Sequence, residues 1–430
     1  MRKKTHLILA MLLLVACSEH DVLIENEDSQ SEKAVQSEIR TIDEAYDIAA
    51  KAISWIGDGE SRTSVRLLPS KRDIKVVMNN KSRSGESSDT LMYVVNFEDE
   101  QGFAIIPANR TMPELLAVTE NGSYNPETGS EVEPFQEYMD NAVNTLASNY
   151  VKEGIELPIL MREVMFVDTT YTYAVEPLAN YYWGQTGYEG KYCRNKYSGC
   201  GPLSMAMTMA YFGHPTSFAF SAGDNSTVSL NWQDIRQHNA FYDVYNGNVF
   251  IDCVDNVPQI AKESLGKLCR QIGKVAGSSY IVGDTPTPYS NFISTLRNFG
   301  YTVSNKIDYY SGAEGDYLGH NYLMIACASR EPNKSHSWVI DGYKYVHYER
   351  WRYERDNDPR MFQPGEWELI SHSHTVNYYA HFNWGFRGYY NGYFLSTRWQ
   401  TENGVEYDFQ HAIVDSIHYD IDKQFITITR

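Results

Sequence analysis

Apolar positions divide the chain into two differently patterned halves. Ala45, Ile48, Ala49, Ala52, Trp55 and Ile56 recur at helical spacing, and Thr41 and Glu44 before them have the separation of a capping box, with Gly57 as a stop. Residues 58–90 are rich in Ser, Arg and Gly and predict a long loop around Asn79–Ser88. Leu91–Phe97 and Phe103–Ile106 read as the strands of a hairpin turning at Glu98–Gly102. Phe135, Tyr138, Met139, Ala142, Val143, Leu146, Ala147 and Tyr150 then line one face of an amphipathic helix with Pro134 in its first turn. Together these elements predict a small α+β domain over 41–165, in which no catalytic residue types cluster. Residues 151–175 mix short apolar runs with Lys152, Arg162 and a Thr/Tyr stretch, and are expected to form a junction without strong structure.

From Val175 the composition shifts towards Tyr, Trp, Gly and Cys. Leu203–Phe212 predicts a helix ended by Gly213, and Pro258–Ile272 and Ser290–Phe299 predict two more. Leu323–Ala328, Ser337–Ile340, Val376–Asn383 and Gly392–Leu395 read as strands, so 166–430 is expected to be a second, larger α+β domain. There is no internal repeat.

The first residues carry a different signal. Arg2, Lys3 and Lys4 precede an apolar run from Leu7 to Ala16, the charged and apolar regions of a secretory signal over 1–16. That run is too short to span a bilayer as a helix. It ends Leu14-Val15-Ala16-Cys17, which resembles the lipobox of bacterial lipoproteins and predicts a lipid on Cys17. The bland alternative is an ordinary signal peptide with an incidental Cys. Residues 17–40 are polar and acidic and read as a flexible tether. The chain is thus expected to be exported and lipid-anchored, facing the periplasm or the cell surface.

Composition narrows the functional classes. The 430 residues are 42% hydrophobic, enough for sizeable cores. Asp+Glu number 55 against 37 Lys+Arg, a net charge of -18 that disfavours nucleic-acid partners. Six cysteines are too few for a disulfide scaffold. No Gly-x-Ser-x-Gly, His-Glu-x-x-His or P-loop pattern occurs. His372 and His374 fall on one strand face near His381, but no carboxylate or Cys is spaced to complete a zinc site, and neither metal nor cofactor is expected.

Cys200 is the candidate nucleophile. It lies between Gly199 and Gly201, which leave room for a substrate backbone, and Pro202 suits the first turn of the helix that follows. A thiol at a helix N-terminus is drawn towards the thiolate, and the free N–H groups there can bind an oxyanion. Cys193 nearby raises a disulfide with Cys200 as an alternative that would silence the thiol, and Cys253, Cys269 and Cys327 read as core. A cysteine nucleophile needs a base, and His336 opens the strand His336-Ser337-Trp338-Val339-Ile340-Asp341-Gly342-Tyr343. Asn383 could orient the imidazole with Trp384 shielding that bond, and Asp341 competes for the orienting role. Gln185, in Trp183-Gly184-Gln185, could donate to the oxyanion. The order Gln, Cys, His, Asn-Trp is that of papain-like cysteine peptidases.

The likeness extends further. Val175–Leu178 leading to Trp183-Gly184-Gln185, Gly199-Cys200 with its helix ending Tyr211-Phe212-Gly213, Gln259–Gly273, the segment from His336 to Tyr343, and His381–Gly388 followed by Asn391–Phe394 together resemble the streptopain family of cysteine peptidases. Gly102–Pro107 and Met112–Leu116 resemble a recurring stretch of that family's inhibitory prodomain. The resemblance implies a papain-like fold, helices packed on an antiparallel sheet, preceded by a small α+β prodomain. It implies an autoprocessed endopeptidase acting on protein or peptide substrates and inhibited by its own prodomain, with Cys200 as nucleophile, His336 as base, and Gln185 and Trp384 in the site. Gly199, Gly201 and Trp338 are expected to line the substrate cleft. The mature peptidase would leave its lipid behind with Cys17. Gly201-Pro202-Leu203-Ser204, the loop Asp308–Tyr322 and the charged insertion Tyr348–Glu366 depart from the family pattern. An acyl transferase or amidase on peptide or cell-wall amides, or a silent surface-binding lipoprotein, are the alternatives.

Overall fold

The computed structural model describes residues 39–56, 69–78, 90–109, 112–148, 162–238, 257–310, 312–331, 334–356, 366–396, 398–400, 406–408 and 421–430. The signal sequence, Cys17 and nearly all of the tether, Gly57, the Asn79–Ser88 loop and Cys253 lie outside the described residues.

The first half contains α1 (Ile42–Ala52), β1 (Pro69–Met78), β2 (Thr90–Phe97), β3 (Phe103–Pro107), β4 (Ala117–Thr119) and α2 (Glu133–Ser148). Thr41 and Glu44 form the predicted capping box, with Thr41 accepting from the Glu44 N–H and Glu44 from the Thr41 N–H. β1 lies in the stretch 58–90, where no strand is expected, and ends just ahead of the expected Asn79–Ser88 loop. Its sequence, with Lys71, Arg72, Asp73 and Lys75, has the charged character of an edge strand and hides the period-two signal, and β1 ends the sheet with β2 as its neighbour.

After β5 (Arg162–Val175) come α3 (Cys200–Phe212), β6 (Ser217–Ala219), β7 (Thr227–Ser229), α4 (Trp232–Arg236), α5 (Gln259–Ala276) and α6 (Phe292–Asn298). The remaining elements are β8 (Thr302–Val303), β9 (Ile307–Asp308), α7 (Ala313–Tyr317), β10 (Leu323–Glu331), β11 (Lys334–Asp356), β12 (Glu368–Asn383), β13 (Gly392–Leu395), β14 (Arg398–Gln400), β15 (Glu406–Asp408) and β16 (Ile421–Thr429). All four predicted strands are present, two of them far longer than expected. β11 and β12 extend as one long hairpin arm, so much of the supposed insertion from Tyr348 is regular sheet.

One antiparallel sheet joins both halves, in the order β1-β2-β3-β4-β13-β12-β11-β10-β16-β8, with β5 on β11 and β9 on β16. The join is β4 against β13, with Val118 opposite Tyr393. The described part of the junction, 162–175, is regular: β5 pairs with β11 along its whole length, from Val175 opposite Tyr343 to Arg162 opposite Asp356, and 151–161 lie outside the described residues. Thr and Tyr are strong strand formers, and this is what the Thr/Tyr stretch signals.

Alternation along the central strands feeds two cores. Leu323, Ile325 and Val339 pack with α3, α5 and α6, whereas Met324, Ala326, Trp338 and Ile340 pack towards α1, α2 and the first-half strands. α3 is buried from Gly201 to Ala210, apolar on every side as a central helix must be.

Candidate active site

Cys200 is the first residue of α3. Gly199 before it has φ 86°, a conformation that favours glycine, and Gly213 closes the helix in the left-handed region. A Cβ on Gly199 would lie 2.6 Å from the Thr285 carbonyl oxygen, and one on Gly201 would lie 2.7 Å from the Phe292 ring. The space expected to admit substrate backbone at these two positions is therefore filled by the protein itself, and the glycines serve close packing around the helix start.

His336 lies on β11 and hydrogen-bonds the Cys200 thiol. Its Nε2 is 3.1 Å from the Trp384 carbonyl oxygen, which leaves Nδ1 to face sulfur. Burial pushes the Cys200 thiol up, but the His336 hydrogen bond and charge, with the hydroxyl and main chain of Ser337, outweigh it and hold the thiol below its ordinary value. Burial pushes His336 down, and its bonds to Cys200 and Trp384 with the carboxylate of Glu133 prevail, so it is raised. Each shift favours the thiolate–imidazolium pair.

The orienting group is not either side chain expected. Asn383 is buried and spends its amide elsewhere: Nδ2 donates to the carbonyls of Ala179 (3.1 Å) and Tyr181 (2.8 Å), and Oδ1 accepts from the Gly385 N–H at 3.2 Å. Asp341 accepts from the Ala179 N–H and binds His381 at 2.6 Å. The neighbouring main-chain carbonyl of Trp384 does the work on His336. Trp384 is in turn fixed by its N–H on Asn391 Oδ1 and its indole N–H on the Tyr390 carbonyl, each at 3.1 Å. Its ring packs on Trp338 at 5.3 Å, and Trp338 lies parallel to His336 at 6.2 Å. Trp338 is buried beside the His336 ring.

Gln185 reaches the site through the loop before α3. Its carbonyl accepts from the Ser198 N–H (2.8 Å) and hydroxyl (3.3 Å), which brings this half-buried residue beside the start of the helix. Ser337 was not singled out from the sequence, though its place directly after His336 was visible. Cys193, Cys269 and Cys327 are buried and in no disulfide, and burial raises Cys193 to about 11. No disulfide joins Cys193 to Cys200. His381 is buried between Asp341 and Glu120, apart from His372 and His374 on the exposed hairpin arm.

Comparison with known proteins places this geometry. The profile described as Spi protease inhibitor matches residues 33–145, and that of the Peptidase C10 family matches 179–394. A fragment of prointerpain A from Prevotella intermedia is 15% identical, covering 83% of this chain and 98% of its own, with a TM-score of 0.45. Active interpain A cysteine protease from the same organism is 16% identical over 59% of this chain and 94% of its own, with a TM-score of 0.33. No curated protein matches in sequence. The chain belongs to the Peptidase C10 family, the streptopain-type cysteine peptidases, and carries ahead of its peptidase domain an inhibitory prodomain of the Spi kind.

Proposed function

We propose that the chain is the precursor of an exported endopeptidase, tethered by a lipid on Cys17, that cleaves peptide bonds with Cys200 as nucleophile and His336 as acid and base. The observation that carries the reading is the Cys200–His336 hydrogen bond at the start of a buried helix, with the far nitrogen of the ring on the Trp384 carbonyl. The thiolate attacks the scissile carbonyl, and the oxyanion meets the main-chain N–H of Cys200 and the amide of Gln185. His336 passes its proton to the leaving amine, then takes one from the water that hydrolyses the acyl-enzyme. The Trp384 carbonyl holds the ring through both steps, and the indoles of Trp338 and Trp384 exclude water behind it.

The prodomain bears on the same centre. Glu133, the first residue of α2, acts electrostatically on His336, and β4 docks on the strand just after the Trp384 loop. Covalent linkage holds this inhibitor at high effective concentration. Since β5 is built into the peptidase sheet, the activating cut falls between Ser148 and Arg162, before β5 and not inside it. The cut leaves Cys17 with the prodomain and frees the mature enzyme from its lipid.

The test is hydrolysis of casein by the full chain and by Cys200→Ser, with fractionation before and after incubation. The wild type should shorten, become alkylation-sensitive and move into the supernatant. Full activity in Cys200→Ser would defeat the nucleophile assignment, and activity that stays with membranes after shortening would defeat the release.

A further inference from the structure

The prodomain meets the peptidase mainly through main chain and rings. β4 pairs with β13, the Glu120 N–H donates to the Asn391 carbonyl at 2.8 Å, and Leu395 N–H donates to the Leu116 carbonyl at 2.8 Å. Phe135 stacks on Tyr390 at 4.4 Å and Tyr138 meets the edge of Phe394 at 5.0 Å. Contacts of these kinds tolerate many sequences.

One contact across this boundary is chemically selective. Glu120 directly follows β4 and is 6% exposed. Its Oε1 lies 3.5 Å from Nε2 of His381, and its Oε2 accepts from the Tyr182 hydroxyl at 3.1 Å. His381 is 1% exposed, with Nδ1 on Asp341 at 2.6 Å. Burial pushes His381 down, yet the two carboxylates outweigh that and raise it to about 9, so the ring is an imidazolium at neutral pH. The other groups nearby are already engaged: the Tyr393 ring is 5.0 Å from His381, its hydroxyl donates to Glu176, and Glu176 is paired with Lys344 at 2.9 Å. Among the described residues the His381 Nε2 has no well-aligned acceptor, and its ion-pair partner is Glu120.

We propose that the pocket made by His381 and Tyr182 is a carboxylate-recognition site through which the peptidase identifies its prodomain, reading a β-strand on β13 that delivers an acid at its end. The inference rests on the first half being a separable inhibitor. Without the acid the buried imidazolium keeps only Asp341, and a buried charge that loses one of two partners is costly, so a strand without the acid binds far less well than one with it. It follows that Glu120 holds the nicked prodomain on the enzyme until the prodomain is degraded.

The test uses the full chain as Cys200→Ser, with a recognition site for a sequence-specific protease inserted between Ser148 and Arg162. After nicking, retention of the prodomain is measured by gel filtration across a dilution series. The parent should keep its prodomain. Glu120→Gln should weaken retention roughly tenfold or more, and Tyr182→Phe, which removes the hydroxyl that donates to that carboxylate, should weaken it severalfold. The exposed prodomain variant Glu127→Gln should match the parent. Retention by Glu120→Gln equal to the parent would overturn the proposal. If that variant fails to fold before nicking, Tyr182→Phe decides, and parent-like retention there also overturns it. Immediate loss of the prodomain from the nicked parent would defeat the anchor while leaving the peptidase assignment intact. A nicked chain with Cys200 intact that gains no activity when its prodomain is stripped away would instead mean that the first half is not an inhibitor.

Discussion

Replacing Asn383 separates two accounts of how the His336 ring is held. If Asn383 oriented the ring, Asn383→Asp would keep an acceptor for the imidazolium and preserve much of the activity. In the structure the side-chain amide instead faces two carbonyl oxygens, those of Ala179 and Tyr181, and accepts from the Gly385 N–H. A carboxylate there would confront both carbonyls with no proton to offer. Asn383→Ala takes the partner from the Tyr181 carbonyl and the Gly385 N–H, while the Ala179 carbonyl keeps the Tyr181 N–H at 2.7 Å, and at about 1 kcal/mol for each of the two the loss is about 2 kcal/mol. For a domain of this size that is a fall in melting temperature of roughly 4–8 °C. The measurement is calorimetry of both variants in the Cys200→Ser background, set beside the pH dependence of kcat/KM in the active background. Both variants should be unstable, Asp the more so, while any residual activity keeps the pH limbs of the parent because the Trp384 carbonyl still holds His336. A stable, active Asn383→Asp, or a stable Asn383→Ala whose upper limb moves down, would refute the argument.

Other consequences are quickly checked. With Cys200 lowered and His336 raised, kcat/KM should form a plateau that falls on the acid side as the thiolate is protonated, below the ordinary thiol range, and on the alkaline side as the imidazolium is lost, above the ordinary imidazole range; a profile with a single limb would show the pair is not the reactive form. His381 is raised from 6.5 to about 9, so the stability it contributes is complete below 6.5 and lost as pH climbs through about 9; thermal melts of the Cys200→Ser precursor should therefore fall between pH 7 and 10 more steeply than those of Glu120→Gln. Gly199→Ala forces a side chain against the Thr285 carbonyl at φ 86° and should cost about 2 kcal/mol or more together with most of the activity; a stable, active variant would show the loop relaxes freely. N-terminal sequencing of the mature enzyme should begin within 149–162, and a start inside 163–175 would mean that β5 leaves the sheet before cleavage.

What the sequence disclosed follows from how local each signal is. The capping box at Thr41, the hairpin 91–106, the helix behind Cys200 and the short strand at 392 are set by neighbours within a few residues, and all four stand as read. β1 and β5 were not legible because their pairing partners are distant or at an edge: Arg162 pairs with Asp356, nearly two hundred residues away, and nothing near Arg162 announces it. The two ends of the chemistry were legible for the same reason that the middle was not. Cys200 and His336 carry their identity in side chains, and residue types could be scanned for them. The acceptor on His336 is a main-chain carbonyl, which every residue owns, so no residue type could mark it. Asn383 drew attention as the nearest residue with suitable chemistry, yet it stands one position off, tying the strand end to the Ala179–Tyr181 segment.

That offset also explains how an inhibitor with no catalytic residues can bear on the reaction. The acceptor for His336 belongs to a short loop, Trp384 to Asn391, closed on itself by the Trp384 N–H on Asn391 and the Trp384 indole on Tyr390. The prodomain takes hold of the far side of this same loop: the Asn391 carbonyl accepts from Glu120, Asn121 donates to the Gly388 carbonyl, and the Tyr390 hydroxyl donates to the Ser123 carbonyl. A strand laid on β13 therefore grips the peptide that sets the ring, without entering the cleft by that route. Rings behind the loop are shared as well, since Phe103 and Phe135 of the first half pack on Tyr390. Removing the prodomain strips one side of the loop of its partners while the bonds internal to it survive. The pair Cys200–His336 can then keep its geometry in the free enzyme, because the contacts that build the catalytic centre and those that hold the inhibitor use different atoms of the same few residues.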